Sequence, residues 1–173
     1  MYYKVDIFFR NIHHLSDGRF AAGIWAKWAS FNFDNASKDY ISPVQASEII
    51  NWMSGPAIVA EFGKNNTTEN ILATTKLLSI KTIAIPASLL STELKEHFDS
   101  IFVVHEETNE IIPGKKGHYE LENAIHNAIE SKEGATDILN SKKEVICING
   151  IHEEKPGTAD YEELSIFMEY LED

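Results

Sequence analysis

Residues 30–50, SFNFDNASKDYISPVQASEII, contain a strand, a short loop and a capped helix in one compact unit. The first four positions alternate between polar residues and phenylalanine, which is typical of a pleated strand. Ser42 suits a helix N-cap, Pro43 suits the first helical position, and Gln45 completes a capping box with Ser42. The stretch therefore predicts one β-loop-α unit of a repeating α/β protein.

Short apolar runs and amphipathic helical patterns alternate along most of the chain. Strand-like runs cover residues 4–9, 29–33, 57–62, 81–85, 100–105 and 144–149. Helical patterns cover residues 16–28 with Ser16 as a cap, 43–53, a segment capped by Thr67, 91–98, 119–131, and a last segment with a capping box of Asp160 and Glu163. Residues 106–117 are polar and predict a long loop, whereas residues 133–143 fit either a helical turn or a short strand.

This alternation predicts parallel strands joined by right-handed crossovers in a single domain over residues 1–173. Two architectures fit it, a closed (β/α) barrel and an open doubly wound sheet. A full barrel has eight strands and usually more than about 200 residues, whereas this chain has 173 residues and six clear strand patterns. The pattern alone therefore favours an open sheet or a shortened barrel.

The formal net charge of -12 argues against a nucleic-acid partner, which needs a basic surface. No apolar run approaches the roughly 20 residues that span a bilayer, and the first residues lack the apolar region of a signal peptide. We therefore expect a cytoplasmic protein without a membrane partner. The single cysteine, Cys147, excludes an internal disulfide and fits a reducing compartment. Because it lies in the apolar run VICIN, we interpret it as a small buried hydrophobe.

Two carboxylates lie inside apolar strand-like runs, Asp6 in VDIFF and Glu61 in IVAEF, and His105 ends another such run. A charge in a buried strand is costly unless it is paired or solvated. If these three side chains face a barrel interior, they are candidates for catalysis, as an acid pair, a metal site or a polar ligand cavity. The simpler alternative is that the strands lie near an edge of the sheet and the carboxylates face water.

Other patterns point to a protein without a cofactor. Neither a GxGxxG nor a P-loop pattern is present, so no nucleotide cofactor is expected. The adjacent His13 and His14 would point to opposite faces of a strand, which makes them a poor metal pair. No metal site is therefore predicted.

Residues 30–46 resemble a segment of phosphoribosylanthranilate isomerase, a (β/α)8-barrel enzyme of tryptophan biosynthesis. That family's second strand and following loop run like GFxFxxxSxRYISPxxA, and the match extends without a gap through Tyr40-Ile41-Ser42-Pro43. Residues 59–65, VAEFGKN, look like the family's VGVFVN segment, and residues 153–160, EEKPGTAD, are similar to its ExxPGxKD run before the final helix. The resemblance covers most of the first 85 residues and the last 30. It implies a TIM-type (β/α) barrel that is shortened or incomplete.

The departures from the family fall on its functional residues. The family's catalytic pair is a cysteine at the end of the first strand and an aspartate on the sixth, whose matches here are Ile7 or Phe8 and His105. The family's arginine that holds the substrate's carboxylate is Asp39 here, which replaces an attraction by a repulsion. The family's phosphate-binding turn, Ser-Ser-Gly, is matched by Asn149-Gly150-Ile151.

The resemblance implies ligand-binding positions at Asn32, Asp39, Asn149 and Gly150. Three functions are compatible with the sequence. In the first, the chain is a relative that has lost the isomerase activity and binds a small molecule or another protein. In the second, it is an enzyme with other chemistry that uses the three candidates named above. In the third, it is an isomerase with replaced site residues. We favour the first, because the groups for proton transfer and for phosphate binding are missing. A shortened barrel also leaves strand edges or helix faces exposed, so we expect a homodimer.

Overall fold

The computed structural model describes residues 5–104, 111–113, 145–151 and 160–172 of the chain. Its strands are β1 Asp6–Arg10, β2 Trp28–Asn32, β3 Ala57–Glu61, β4 Thr82–Pro86, β5 Ser100–Val104, β6 Ile111–Pro113 and β7 Val145–Asn149. Its helices are α1 Leu15–Gly23, α2 Pro43–Ile50, α3 Thr68–Leu78, α4 Thr92–His97 and α5 Glu162–Leu171, with a 3-10 turn at Ala87–Leu89. Within these ranges no helix is both long enough and apolar enough to cross a membrane.

The strands form one seven-stranded sheet in the order β6-β5-β4-β3-β2-β1-β7. Every neighbouring pair is parallel except β5 and β6, which run antiparallel. The six parallel strands curl with their helices into an incomplete TIM-type barrel, in which consecutive strands stay neighbours as in a full barrel. A doubly wound sheet would instead reverse its strand order beside the first strand. The prediction of a shortened barrel is therefore confirmed.

The two faces of the sheet have different surroundings, because successive side chains of a strand point to opposite sides. In β1, Ile7 and Phe9 belong to the large core between the sheet and the helices, whereas Phe8 belongs to a smaller cluster on the concave face. This smaller cluster contains Phe8, Val59, Ala84, Phe102, Val104, Val145 and Cys147, with Trp28 packed against it. Phe8 and Phe102 meet edge to face with ring centroids 5.2 Å apart. Packed side chains of this cluster therefore fill part of the barrel interior.

The helix boundaries test the predicted caps. α2 begins as predicted, because the Ser42 hydroxyl accepts the Gln45 N–H at 3.3 Å and the capping box is complete. α1 was expected to begin at residue 16, but it begins one residue earlier, since the His14 imidazole accepts a backbone N–H of the first turn at 3.2 Å. α1 also ends at Gly23 rather than near residue 28, because Trp25 has a left-handed backbone (φ 56°) that cannot continue the helix.

The second half of the chain departs further from the sequence pattern. Ile111–Pro113 lies inside the segment predicted as a loop, but it pairs with β5 as β6, because backbone hydrogen bonds to a sheet edge do not need a long apolar run. α5 has Tyr161 as its N-cap in place of the predicted capping box, and the Asp160 carboxylate accepts the Glu162 N–H at 2.9 Å. The helix expected over residues 119–131, the ambiguous residues 133–143 and His105 lie outside the described residues.

Candidate functional site

A buried ion pair crosses the concave face near the carboxyl edge, the edge of the sheet at which the parallel strands end. Arg10 is the last residue of β1, and Glu61 is the last residue of β3. The guanidinium donates from Nε to Glu61 Oε1 and from Nη2 to Glu61 Oε2, both at 2.8 Å. The hydroxyl of Ser30, on the intervening strand, donates to Glu61 Oε1 at 2.5 Å. Arg10 is 6% exposed and Glu61 is 3% exposed, so this bidentate pair has little access to water.

The electrostatics of this pair explain how an apolar strand accommodates a carboxylate. Burial alone would lower the pKa of Arg10, but the charge of Glu61 and its hydrogen bonds outweigh burial and raise that pKa above its ordinary value. A smaller contribution in the same direction comes from Asp39. The guanidinium therefore stays charged and neutralises Glu61. The sequence required that this charge be either paired or solvated. The structure shows Glu61 paired with Arg10 and shielded from water, so the alternative in which this carboxylate faces water is not what the structure shows.

Asp6 lies at the opposite edge of the same face and does not join Glu61. It is the first residue of β1, whereas Arg10 is the last. Its carboxylate accepts a hydrogen bond from the Lys27 ammonium at 2.5 Å, and both side chains are partly exposed, at 37% for Asp6 and 44% for Lys27. An acid pair of Asp6 and Glu61 is therefore not formed, because the length of the strands separates them. The third candidate, His105, lies outside the described residues.

Three asparagines form an amide row along the carboxyl edge: Asn149 of β7, Asn11 after β1, and Asn32 of β2. Asn11 donates from Nδ2 to Asn149 Oδ1 at 3.1 Å, and its Oδ1 accepts from Asn32 Nδ2 at 3.5 Å. Asn11 has a left-handed backbone (φ 56°), which asparagine tolerates better than most residues do. The row thus joins Asn32 and Asn149, two of the predicted ligand-binding residues, through a third amide.

Asp39 and His13 extend the polar edge beyond the amide row. Asp39 Oδ1 lies 3.4 Å from His13 Nε2, and the two side chains are 13% and 14% exposed. The Asp39 N–H donates to Ser37 Oγ at 3.1 Å, which holds the loop after β2 in place. The position at which the resemblance implies a carboxylate-binding arginine therefore has a negative charge, and this charge acts on the nearby Arg10.

The positions matched to the family's catalytic cysteine have no group that exchanges a proton. Ile7 lies in the core under the helices, and Phe8 is fully buried on the concave face. Cys147 is the partner of Phe8 in the β1–β7 register. Burial raises the pKa of the Cys147 thiol from 9.0 to about 12, although the Arg10 charge opposes this. The thiol therefore stays protonated near neutral pH, as expected for a small buried hydrophobe.

The turn after β7 is held against α1 by Asp17. Gly150 donates its N–H to the Arg10 carbonyl oxygen at 2.7 Å. A Cβ at Gly150 would lie 2.4 Å from the Asn11 carbonyl oxygen and 2.7 Å from Asp17 Oδ2, so close packing requires glycine there. Asp17 is fully buried, and its Oδ1 accepts the Ile151 N–H at 3.1 Å. The turn matched to the family's phosphate site thus uses these two N–H groups within the protein.

The sequence patterns did not single out three residues of this edge, Arg10, Asn11 and Asp17. A signal existed for Arg10, because it ends the apolar run DIFFR with the same strand parity as Phe8. The contacts of Asp17 with Ile151 and Tyr161 had no local signal, since these residues are 134 and 144 residues away in the chain. Among the residues that the structure describes, no three histidine, cysteine, aspartate or glutamate side chains are grouped so that they could hold a metal ion.

The fold and this edge define an incomplete TIM-type barrel with a polar carboxyl edge. No protein-family model and no curated protein matches the sequence. Solved structures of phosphoribosylanthranilate isomerase do match. The enzyme from Thermus thermophilus is 14% identical, with a TM-score of 0.70 and coverage of 96% of this chain and 98% of that one. Monomers of the dimeric enzyme from Thermotoga maritima are 17% identical, with a TM-score of 0.69 and the same coverage of 96% and 98%.

A third match is an isomerase in complex with reduced 1-(o-carboxyphenylamino)-1-deoxyribulose 5-phosphate. It is 16% identical, with a TM-score of 0.68 over 96% of this chain and 98% of that one. The chain therefore has the phosphoribosylanthranilate isomerase fold. At these identities the likeness is one of fold, and it agrees with the resemblance found in residues 30–46.

Proposed function

We propose that this isomerase-like barrel has no phosphoribosylanthranilate isomerase activity and binds a small molecule at its carboxyl edge. The observation that supports this best is the Arg10–Glu61 ion pair, which occupies the part of a barrel where catalytic groups lie. Both oxygens of Glu61 accept hydrogen bonds from Arg10, and one also accepts from Ser30. Both oxygens of Glu61 are therefore engaged within the protein, and we assign this carboxylate a structural role rather than one in proton transfer.

The position matched to the family's catalytic cysteine has no group that transfers a proton, and the position matched to its aspartate, His105, lies outside the described residues. Proton transfer needs titratable groups within hydrogen-bond reach of the reacting atoms. Phe8 is a buried phenyl ring, and Cys147 beside it is a protonated thiol in the same apolar cluster. The concave face therefore has the Arg10–Glu61 ion pair at its carboxyl edge and, next to this pair, the apolar cluster that contains Phe8 and Cys147.

The charges at the edge disfavour the ligand of the solved isomerase complex. The name of that ligand specifies a carboxyphenyl group and a 5-phosphate, which are both anionic. Asp39 places a negative charge at the edge, and the whole chain has a formal net charge of -12. The amide row offers both donors and acceptors without charge. A neutral ligand with several hydrogen-bonding groups suits this edge best.

Complementation of a tryptophan auxotroph that lacks the isomerase tests the loss of activity. We expect no growth without tryptophan at protein levels that a known isomerase needs for growth. The variant with both Phe8→Cys and Asp39→Arg should also give no growth, because the Arg10–Glu61 ion pair still occupies the carboxyl edge of the barrel. Growth supported by the unaltered chain would overturn the proposal in favour of an active isomerase with replaced site residues.

Thermal-shift screening of neutral polar metabolites tests the proposed binding role. Compounds that raise the melting temperature of the unaltered protein should lose most of their effect in a variant with both Asn32→Ala and Asn149→Ala. Asn35→Ala is the matched control, because Asn35 is exposed in the loop after β2. Hits that bind this double variant and the control equally would place binding outside the carboxyl edge.

We further propose that the protein is a homodimer in the cytoplasm. In the described part of the chain, β6 and β7 lie at the two edges of the sheet, and exposed strand edges favour association. The structure of monomers of the dimeric isomerase from Thermotoga maritima is a precedent for a dimer of this fold. Sedimentation velocity at micromolar concentration should show a dimer, and a stable monomer would contradict this part.

A further inference from the structure

Asn149 and Gly150 form the only Asn-Gly pair in the sequence. Because glycine has no Cβ, its backbone nitrogen can approach the side chain of a preceding asparagine more closely than the nitrogen of another residue can. In water such a pair deamidates spontaneously, by attack of the glycine nitrogen on the side-chain carbonyl carbon. The pair lies where β7 ends, at the carboxyl edge of the sheet.

This reaction releases ammonia and consumes water. After the Gly150 nitrogen has lost its proton, it bonds to Cγ of Asn149, and the Cγ–Nδ2 bond breaks as the leaving nitrogen is protonated to ammonia. The product is a succinimide ring, which water opens at either of its two carbonyl carbons. Opening at Cγ gives aspartate. Opening at the backbone carbonyl carbon gives isoaspartate, whose main chain passes through the side chain and is longer by one methylene.

The folded protein holds both reacting groups in other contacts. The Gly150 N–H, which must lose its proton, donates to the Arg10 carbonyl oxygen at 2.7 Å. Asn149 Oδ1 accepts from Asn11 Nδ2 at 3.1 Å, and Asn149 is in register with Arg10 in the parallel β1–β7 pair. Attack requires the nitrogen and the carbonyl carbon to meet in one orientation. The strand end and the amide row therefore oppose it together.

The packing around Gly150 is also too tight for a longer main chain. A carbon added at its Cα would lie 2.4 Å from the Asn11 carbonyl oxygen and 2.7 Å from Asp17 Oδ2. The next residue, Ile151, is fixed by donation of its N–H to Asp17 Oδ1 at 3.1 Å. Isoaspartate would displace Gly150 within these contacts, because the extra methylene has to be accommodated in a closely packed turn. Aspartate keeps the length of the backbone and an oxygen acceptor.

We infer that Asn149–Gly150 is a deamidation site that the folded carboxyl edge protects, so that modification is confined to chains that have unfolded or opened at this turn. Isoaspartate at this position then prevents the turn from forming again. A chain that stays unfolded thereby loses the ability to refold, through chemical change rather than aggregation. This inference concerns the lifetime of the fold and does not rest on the proposed function.

Peptide mass spectrometry of the unaltered protein tests the protection. One sample is kept folded in buffer and another is unfolded in guanidinium chloride at the same mildly alkaline pH, and both are digested in acid after increasing times. The peptide that contains Asn149 should gain the mass of amide-to-acid conversion at least about tenfold more slowly in the folded sample, because reaction there requires opening of the turn. A smaller difference would overturn the inference.

Ala36→Gly supplies a matched control, because it places a second Asn-Gly pair in the exposed loop after β2, at Asn35. The N–H of residue 36 donates to Asp34 Oδ1 at 3.0 Å, but this bond is exposed, so the pair is not enclosed. In the folded variant Asn35 should react at least about tenfold faster than Asn149. A smaller ratio would show that the protection is not particular to the carboxyl edge.

Refolding tests the effect of the modification. Protein aged in guanidinium chloride is diluted into buffer, and size-exclusion chromatography separates the refolded chains from the rest. Isoaspartate at position 149 should be at least about tenfold less frequent in the refolded fraction, because the turn cannot close around the longer main chain. Equal frequencies in the two fractions would overturn this part of the inference.

Asn149→Ser, which has no side-chain amide, should keep its refolding yield after the same ageing. A loss of yield in this variant equal to that of the unaltered protein would place the damage elsewhere, such as at the Asp17–Gly18 pair, and would contradict the assignment to Asn149. If the variant does not fold even when fresh, the comparison of fractions from the unaltered protein still decides the question.

Discussion

Two ion pairs lie at opposite ends of the same concave face, and although each joins a basic and an acidic side chain, they differ in burial and in geometry. At the carboxyl edge, Arg10 and Glu61 form two hydrogen bonds of 2.8 Å, and their side chains are 8% and 4% exposed. At the amino end, Lys27 and Asp6 form one contact between side chains that are 44% and 37% exposed. A lysine can leave its partner for water, whereas the planar guanidinium is fixed by two bonds.

The comparison shows why the presence of a carboxylate in an apolar strand did not by itself identify the site. Asp6 and Glu61 both interrupt an apolar run, and the cost of burying a charge applies to both. The strand end decides between them, because the first residue of β1 reaches solvent and the last residue of β3 is covered. We therefore expect changes at the carboxyl edge to have large effects and changes at the amino end to have small ones.

The largest effect is expected from Glu61→Gln, which leaves the Arg10 guanidinium buried without its counter-charge. We expect a loss of about 3–5 kcal/mol in the free energy of unfolding, measured by urea denaturation. The double variant Arg10→Met with Glu61→Leu is the control, since it removes both charges and keeps apolar volume. It should recover most of the loss, and an equally large loss in the double variant would show that packing rather than charge explains the effect.

A second expected effect is a dependence of stability on pH, which reports whether water reaches the thiol of Cys147 near the Arg10–Glu61 pair. The pKa of Cys147 is raised from 9.0 to about 12, so below pH 9 the thiol is protonated in both the folded and the unfolded chain. Above pH 9 only the unfolded chain releases the proton, and stability falls as pH rises toward 12. By pH 11 this contributes a loss of roughly 3 kcal/mol.

Urea denaturation between pH 8 and pH 11, with Cys147→Ala as the reference, measures this effect. The reference lacks the thiol and should lose less stability over the same range, although other groups titrate in both proteins. If the free energy of unfolding falls equally with pH in the two proteins, water reaches the thiol. The carboxyl edge would then differ less from the amino end in its access to water.

A third effect compares two glycines, one at each end. Gly150→Ala should cost about 2–3 kcal/mol, because the added carbon would lie 2.4 Å from the Asn11 carbonyl oxygen, and this backbone atom cannot move away cheaply. Gly23→Ala at the end of α1 is the matched control, since no atom lies within 4 Å of the added carbon. Its effect on thermal stability should stay within about 1 kcal/mol. Equal losses in the two variants would remove the packing argument.

The smallest effect is expected at the amino end. Asp6→Asn should change the free energy of unfolding by less than about 1 kcal/mol, and added salt should reduce the difference further, because a partly exposed pair is screened by water and ions. Denaturation at low and high ionic strength checks this. A loss as large as that of Glu61→Gln would mean that the two ion pairs are energetically alike.

The fold was predictable because its signals are local. The alternation of apolar runs and capped helices predicted the parallel strands to within one or two residues, and the capping box of Ser42 and Gln45 is present as expected. β6 was not predicted, since three residues in a polar segment have no periodicity and pair only because β5 offers an edge. The early start of α1 was not predicted either, because His14 as a cap depends on its ring orientation.

The candidate site was less predictable, because its contacts join distant parts of the chain. The sequence indicated that Glu61 must be paired or solvated, but it could not name Arg10, which is 51 residues away from it in sequence. The amide row spans 138 residues between Asn11 and Asn149, and local patterns cannot register such a contact. The site depends on strand register, which is a property of the assembled sheet.

The pairing of β7 with β1 also has a consequence for how the protein is made. All five residues of β1, from Asp6 to Arg10, are in register with Val145 to Asn149. Because a ribosome releases β1 before β7, one side of β1 keeps its backbone groups unpaired until β7 has emerged. During that interval the nascent protein exposes an unpaired strand edge, to which chaperones that recognise such edges can bind.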